Sequence, residues 1–218
     1  MNVRAGVYQA MGRLEEAEAD YRRVIELKPK GPDANLFLAE AYVGLARLQD
    51  RQGRPGKAAE YLDQLVKDAP ESEWAYLRRA EFRRDRGEHD AALEDCDRAA
   101  RLKPGWAVPA LVRASVEAAR GQPAAAVAAA ERALEKAPKY DGHVLYTAAC
   151  VWSLASRATD GPDLARRYAD RAAGLLAEAL DKGFLDLSFP EHNRLADDPA
   201  LAPIRQLPPL RDLLAQRP

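Results

Sequence analysis

The sequence predicts an all-α protein: a right-handed superhelical solenoid of stacked helix–turn–helix repeats, closed by a C-terminal helical cap. Three observations predict it. Gly12, Gly53, Gly87 and Gly121 stand 41, 34 and 34 residues apart, and Pro29, Pro70, Pro104 and Pro138 keep the same intervals. Ala17, Ala58, Ala92 and Ala126 march in step with them, as do Ala5, Ala46, Ala80 and Ala114, continued by Ala148 a further 34 residues on. Small residues at fixed offsets with a closing proline mark helix pairs that bury their apolar faces against their neighbours. Composition agrees: 47% of residues are hydrophobic but only 7% aromatic, so alanine carries much of the apolar total. Closely packed helices suit that balance better than a β-sandwich does.

Each repeat reads as helix, glycine turn, helix, proline stop. In the first, helices span about 2–11 and 14–27; in the second, 33–52 and 55–68. The third has 71–86, ended by Gly87, and 89–102, stopped by Pro104; the fourth has 105–120 and 123–136. Glycine takes the left-handed backbone at a helix end cheaply, and proline can neither donate a backbone bond nor continue a helix. The alanine five residues past each glycine lies where the two helices approach most closely, so only a methyl fits. A fifth first-helix, 141–156, carries Ala148 in register; then Thr159-Asp-Gly-Pro162 breaks the pattern as a loop. A long last helix, 163–182, is expected to end at Gly183.

Two irregularities stand out. The Pro29–Gly53 interval is seven residues longer than Pro70–Gly87, which predicts a first helix lengthened by almost two turns, its start at Asp33–Phe37 projecting past its neighbours. Only 11 residues precede Gly12, so the first repeat lacks its opening turn and reads as cut from a longer protein or as starting late. The resulting division is a repeat array over 1–156 (units 1–29, 30–70, 71–104, 105–138 and half of a fifth, 139–156) and a capping region over 157–218. The tail from Phe184 carries Leu185, Leu187, Phe189, Leu195, Leu201, Ile204, Leu207, Leu210, Leu213 and Leu214, too apolar for a solvated leash. Its prolines at 199, 203, 208 and 209 restrict it to short helices.

Several function classes find no support. Basic and acidic side chains number 33 and 34, leaving a net charge of −1 and no global field for nucleic acid or an anionic membrane. No apolar run approaches the roughly 20 residues of a membrane span, and the first residues lack a signal-peptide core. Cys96 and Cys150 form no CxxC and fall in apolar columns, which predicts buried, inert thiols in a reducing compartment. His89, His143 and His192 show no metal-ligand spacing, and His89 reads as a solvated helix start. Gly53-Arg-Pro-Gly-Lys57 has a passing likeness to a phosphate loop but lacks the full spacing, the Ser/Thr and the preceding strand. Paired carboxylates such as Glu15-Glu16 and Asp197-Asp198 have no nucleophile or base in register, so no catalytic residue, cofactor or metal is expected. The cluster Arg78, Arg79, Arg83, Arg84 and Arg86 is interleaved by Glu81 and Asp85, which favours a solvated face or part of an acidic-peptide groove over nucleic acid.

These proline-closed pairs resemble the tetratricopeptide repeat, whose consensus runs aromatic, small residue, Gly, Ala, aromatic, Ala, Pro. Tyr76, Ala80, Gly87, Ala92, Ala99 and Pro104 fit it, with Cys96 in place of the second aromatic. Tyr8, Gly12, Ala17, Tyr21 and Pro29 fit in the first repeat, and Tyr42, Ala46, Gly53, Ala58 and Pro70 in the second. Ala114, Gly121, Ala126, Ala133 and Pro138 fit in the fourth, while Arg83 and Glu117 replace an aromatic late in the first helix. The segment from Tyr146, with Ala179-Leu-Asp-Lys-Gly-Phe184 and Asp198-Pro-Ala-Leu-Ala-Pro-Ile-Arg205, is similar to the terminal region of bacterial repeat proteins, including kinases with repeat-built tails.

The resemblance implies a non-enzymatic scaffold in the bacterial cytoplasm that binds a partner peptide or protein in a concave groove lined by the first helices. The alternative it implies is a docking or regulatory segment of a larger signalling enzyme such as a serine/threonine kinase, although the kinase's own motifs are absent from this sequence. With the alanine column fixing the packed face, helical spacing assigns the groove columns. They are Glu40/Trp74/Val108, Val43/Leu77/Leu111/Leu145, Gly44/Arg78/Val112/Tyr146, Arg47/Glu81/Ser115 and Asp50/Arg84/Ala118/Trp152. The partner-binding residues expected from them are Arg47, Trp74, Leu77, Arg78, Glu81, Arg84, Leu111, Ser115, Tyr146 and Trp152. The lysines and asparagines with which chaperone-binding relatives clamp a carboxyl terminus are missing from these columns. A peptide acidic at one end and apolar at the other fits what remains. Trp74 and Trp152 have a second reading, as side chains wedged between neighbouring helices.

Overall fold

Every helix begins and ends where the punctuation residues demand. The computed structural model describes residues 2–30, 34–137, 141–182, 198–208, 210 and 211. Within them run α1 (Asn2–Ala10), α2 (Leu14–Leu27), α3 (Ala34–Arg51), α4 (Pro55–Asp68), α5 (Glu73–Asp85), α6 (His89–Leu102), α7 (Ala107–Ala119), α8 (Pro123–Lys136), α9 (Gly142–Arg157) and α10 (Pro162–Asp181). A short 3-10 helix, Pro199–Ile204, follows. Each boundary lies within two residues of its predicted place. Asp33, Pro138 and Gly183 lie outside the described residues, as do Phe184, Leu185, Leu187, Phe189, Leu195, Leu213 and Leu214 of the tail.

The glycine column does what its spacing predicts. Gly87 sits at φ +76°, and Gly12, Gly53 and Gly121 take the same left-handed backbone. At all four turns the residue after the glycine donates to the carbonyl five before it: Arg13 to Tyr8, Arg54 to Gln49, Glu88 to Arg83 and Gln122 to Glu117, at 2.8–3.0 Å. That bond closes the helix end in a Schellman motif. The motif asks nothing of the side chain at its acceptor position. Arg83 therefore replaces the consensus aromatic without breaking the turn, and its guanidinium donates to the Asp95 carboxylate at 2.8 Å and the Ala91 carbonyl at 3.3 Å.

The described residues fall into two compact units, one running to Arg79 and the other starting at Ala80, so the division passes through α5. In the N-terminal unit α1 packs on α2, α2 on α3 and α3 on α4. Its core joins Ala5, Ala17, Tyr21, Val24, Ala41, Leu45 and Leu48, with Tyr8, Leu14, Ile25 and Tyr61 against them. α3 approaches Tyr21 so closely at Gly44 that a β-carbon there would stand 2.3–2.6 Å from the ring. Buried Asp20 is gripped by two Arg4 nitrogens at 2.6 Å, and that hydrogen bond, ahead of the charge attraction, holds its pKa below the usual carboxylate range.

α3 is the longest first-helix, at 18 residues against 13 in α5 and α7 and 16 in α9. Its excess over α5 and α7 is about 7–8 Å rather than the two full turns expected. Its start is continuous helix from Ala34; Phe37 is 48% exposed, and its carbonyl accepts from the Asn2 amide at 2.9 Å.

In the C-terminal unit α7 packs on α6, α8 and α9, while α9 also meets α8, α10 and the 3-10 helix. Every residue from Val144 to Ala155 in α9 is buried. A helix apolar on all sides belongs inside such a cage. One link recurs a repeat apart: Arg79 reaches Asp63 at 2.9 Å in the N-terminal unit, and Arg113 reaches Asp97 at 2.5 Å in the C-terminal one. In both, the first helix of a repeat is pinned to the second helix of the repeat before it.

Candidate functional site

The columns assigned to the groove are partly open at α3, where Gly44 alone is buried, and closed at α7 and α9. In the N-terminal unit Glu40, Val43 and Arg47 are half-buried and Asp50 is exposed, all on one face of α3. Trp74 on α5 is half-buried, and the Arg78 guanidinium lies 5.2 Å from its ring centre. Arg78 itself is buried and donates to the Glu40 carboxylate at 3.1 Å. Leu77 is fully buried. The N-terminal unit thus offers an accessible strip of Arg47 and Trp74 with an Arg78–Glu40 pair bracing it from below.

In the C-terminal unit the same columns are covered, contrary to the exposure that helical spacing assigned them. Glu81 alone stays half-buried; Arg84, Leu111, Ser115, Tyr146 and Trp152 are buried. The cause for Trp152 is the neighbouring helix: it packs inside the α9 cage with the Arg171 guanidinium of α10 5.9 Å from its ring centre. The cause for Arg84 and Tyr146 is the chain's own tail. Tyr146 donates to the Asp198 carboxylate at 2.5 Å, and Asp198 lies 4.0 Å from Arg84. Arg84 also donates to Ser115 Oγ at 2.9 Å and to Asp85 at 2.8 Å, and Ser115 donates to the Val112 carbonyl at 2.7 Å.

Behind Asp198 the tail is well anchored. Asp198 caps the 3-10 helix by accepting from the Ala200 amide at 2.8 Å, and its carbonyl accepts from Arg205 at 2.8 Å. Leu201 and Ile204 are completely buried and Leu210 nearly so, as expected of a cap. Beyond them a cleft of about 510 Å3 opens, with Pro203, Leu207 and Pro208 of the tail on one side and Ser156, Arg157 and Arg166 among its other walls.

The charges in this unit respond to burial. Desolvation works against the Arg84 cation, but Asp85, Asp198 and Glu81 outweigh it, so its pKa rises. Asp85 goes the other way for a carboxylate: lost solvation pushes it up to about 6, although Arg84 opposes the rise. Burial also pushes Cys96 up to about 12 and raises Cys150, which makes both poor thiolates, as their apolar columns predict. His89, read from the sequence as solvated, is half-buried, and its Nδ1 has no hydrogen-bond partner among the described residues. No group of His, Cys, Asp and Glu able to hold a metal occurs among the described residues, nor any helix long and apolar enough to cross a membrane. What sequence reasoning missed is Asp198 as a member of the site; its signal was the Asp-Pro start of a short helix, which gives no hint of the surface it meets.

Paired helices with glycine turns, repeated along the chain, define a helical-repeat protein whose general role is to hold other proteins. The tetratricopeptide repeat family model matches residues 1–70, and a second model of the same repeat matches residues 43–105. Residues 1–105 are tetratricopeptide repeats. A thermophilic TPR protein of Thermus thermophilus is similar in structure, with 24% identity and a TM-score of 0.52 over 86% of this chain and 93% of that one. MamA is 21% identical, with a TM-score of 0.45 over 81% of this chain and 92% of its own. No curated protein matches the sequence.

Proposed function

We propose that this protein is a non-catalytic scaffold that binds a partner peptide through the accessible faces of its first helices, and that the N-terminal unit provides the open part of that groove. The observation that carries this reading is the strip on α3 and α5. There Arg47 and Trp74 remain accessible, while the same columns in the C-terminal unit, half-buried Glu81 excepted, are buried. Tryptophan and arginine are the side chains most often found at binding hot spots, and Arg78, held by Glu40, keeps the indole in place. Leu77 acts from within the scaffold rather than at its surface. The balanced charge of the chain favours a protein over a nucleic-acid ligand, and two buried free cysteines suit a reducing, cytoplasmic setting. In the same proposal residues 1–156 are the repeat array and 157–218 its closing region.

The test is a selection from a random peptide library on the full chain, followed by affinity measurement of the selected peptides against Trp74→Ala and Arg47→Glu. Both variants should keep the parental melting temperature and lose roughly tenfold or more in affinity. Selected peptides that bind both variants as tightly as the parent would place the binding surface elsewhere.

A further inference from the structure

In the C-terminal unit the chain's own tail packs over a surface that is polar at one end and apolar at the other. A surface meant only to be covered permanently is best made apolar, since buried polar and charged groups stabilise poorly against a hydrophobic substitute. The surface under the tail is different. The Tyr146 hydroxyl of α9 and, at 4.0 Å, Arg84 of α5 meet the Asp198 carboxylate, and Ser115 of α7 accepts a hydrogen bond from Arg84. Next to this polar end lie the sites that bury Leu201 and Ile204 completely. One carboxylate followed at three and six residues by branched apolar side chains, with prolines between, is a recognition pattern rather than a generic plug.

A further observation bears on how the tail sits. The tail's outer edge, Pro203, Leu207 and Pro208, borders the open 510 Å3 cleft, so water and an incoming chain reach it.

We propose that the Arg84–Ser115–Tyr146 surface is a binding groove for a peptide in which an aspartate precedes a proline and apolar residues follow at the spacing of Leu201 and Ile204, and that the tail occupies it in cis until a partner segment of the same chemistry displaces it. This site is separate from the Arg47–Trp74 strip and stands or falls without it. Occupation in cis lowers the apparent affinity for any partner in proportion to the fraction of molecules that are open. Tail and partner thereby set a threshold that only a well-matched or locally concentrated segment passes.

The probe is a labelled peptide of this chain's own residues 197–211, titrated by fluorescence anisotropy into the full-length protein. The double variant Asp198→Ala/Leu201→Ala, with its own tail weakened, should bind the peptide roughly tenfold or more tightly than the parent does. A peptide carrying Asp198→Asn should lose that gain, and so should the double variant with Tyr146→Phe added. Trp74→Ala should change none of these values. A double variant that keeps its helical circular dichroism but binds no better than the parent, or binds the asparagine peptide equally well, overturns the proposal. Should the double variant unfold, hydrogen exchange on the parent decides. Amides at 200–207 should exchange roughly tenfold or more faster than those of α9; exchange of the two together would make the tail a permanent cap and also overturn it.

Discussion

Arg84 and Asp85 are adjacent in sequence and joined by a 2.8 Å ion pair, yet α5 gives them different surroundings: side-chain exposure is 4% for the arginine and 24% for the aspartate. The arginine stays charged because carboxylates surround it. The aspartate is the group that titrates. Its carboxyl is raised from 3.8 to about 6, first by lost solvation, with Asp198 and Glu81 adding to the rise and Arg84 opposing it. A carboxyl raised in the folded state stabilises the fold where the unfolded chain is also protonated, below about pH 4, and that stabilisation fades as pH rises through 6. Comparison of the parent with Asp85→Asn isolates it. The parent's stability relative to the variant should fall by roughly 1–3 kcal/mol between pH 4 and pH 7, whatever constant offset the lost ion pair adds. Urea denaturation of both proteins across that range is the measurement; a difference that is flat with pH would mean Asp85 keeps an ordinary carboxylate pKa.

At the scale of elements, the contact of α2 with α3 turns on Gly44. Alanine at an interior helix position is ordinarily better than glycine by about 1 kcal/mol. Here the new β-carbon would come within 2.6 Å of three ring atoms of Tyr21, which is buried in the core and holds its hydroxyl 3.3 Å from Gln9. The clash wins: Gly44→Ala should destabilise the protein by about 1–3 kcal/mol in denaturant unfolding. A stabilised variant would show that the ring has room to swing aside. Gly44 also illustrates what the sequence could and could not say. Its column was assigned to the exposed groove, whereas Gly44 is buried against Tyr21 of α2; glycine and proline punctuation, by contrast, located the ten described α-helices to within two residues, because those signals are local. What covers a face is not local. The columns assigned Arg84, Ser115 and Tyr146 to an exposed groove, but the segment that meets Arg84 and Tyr146 arrives 52 residues after Tyr146, and no periodicity links it to the repeats. Trp152 follows its second reading, wedged between neighbouring helices; α10 follows the last repeat without its register, so its cover over α9 could not be read from a 34-residue period.

Across the whole molecule, stability in a repeat protein is a sum over neighbouring contacts, so it need not be even along the chain. α1 packs on α2 and α3, and several of its side chains, Tyr8 among them, are half-buried. α9 is enclosed by α7, α8, α10 and the 3-10 helix, with Val144 through Ala155 buried without interruption. Opening α9 therefore requires the C-terminal unit to come apart, whereas α1 can fray while the rest of its unit stays folded. Under native conditions the amides of α9 should exchange at least roughly a hundredfold more slowly than those of α1. The alanine-rich α8 should fall between them, since alanine favours helix but buries little area and α8 packs chiefly on α7 and α9. Hydrogen exchange resolved by peptide mass provides the test. Equal protection of α1 and α9 would mean that the chain unfolds as one cooperative body, and that burial within α9 does not set where opening begins.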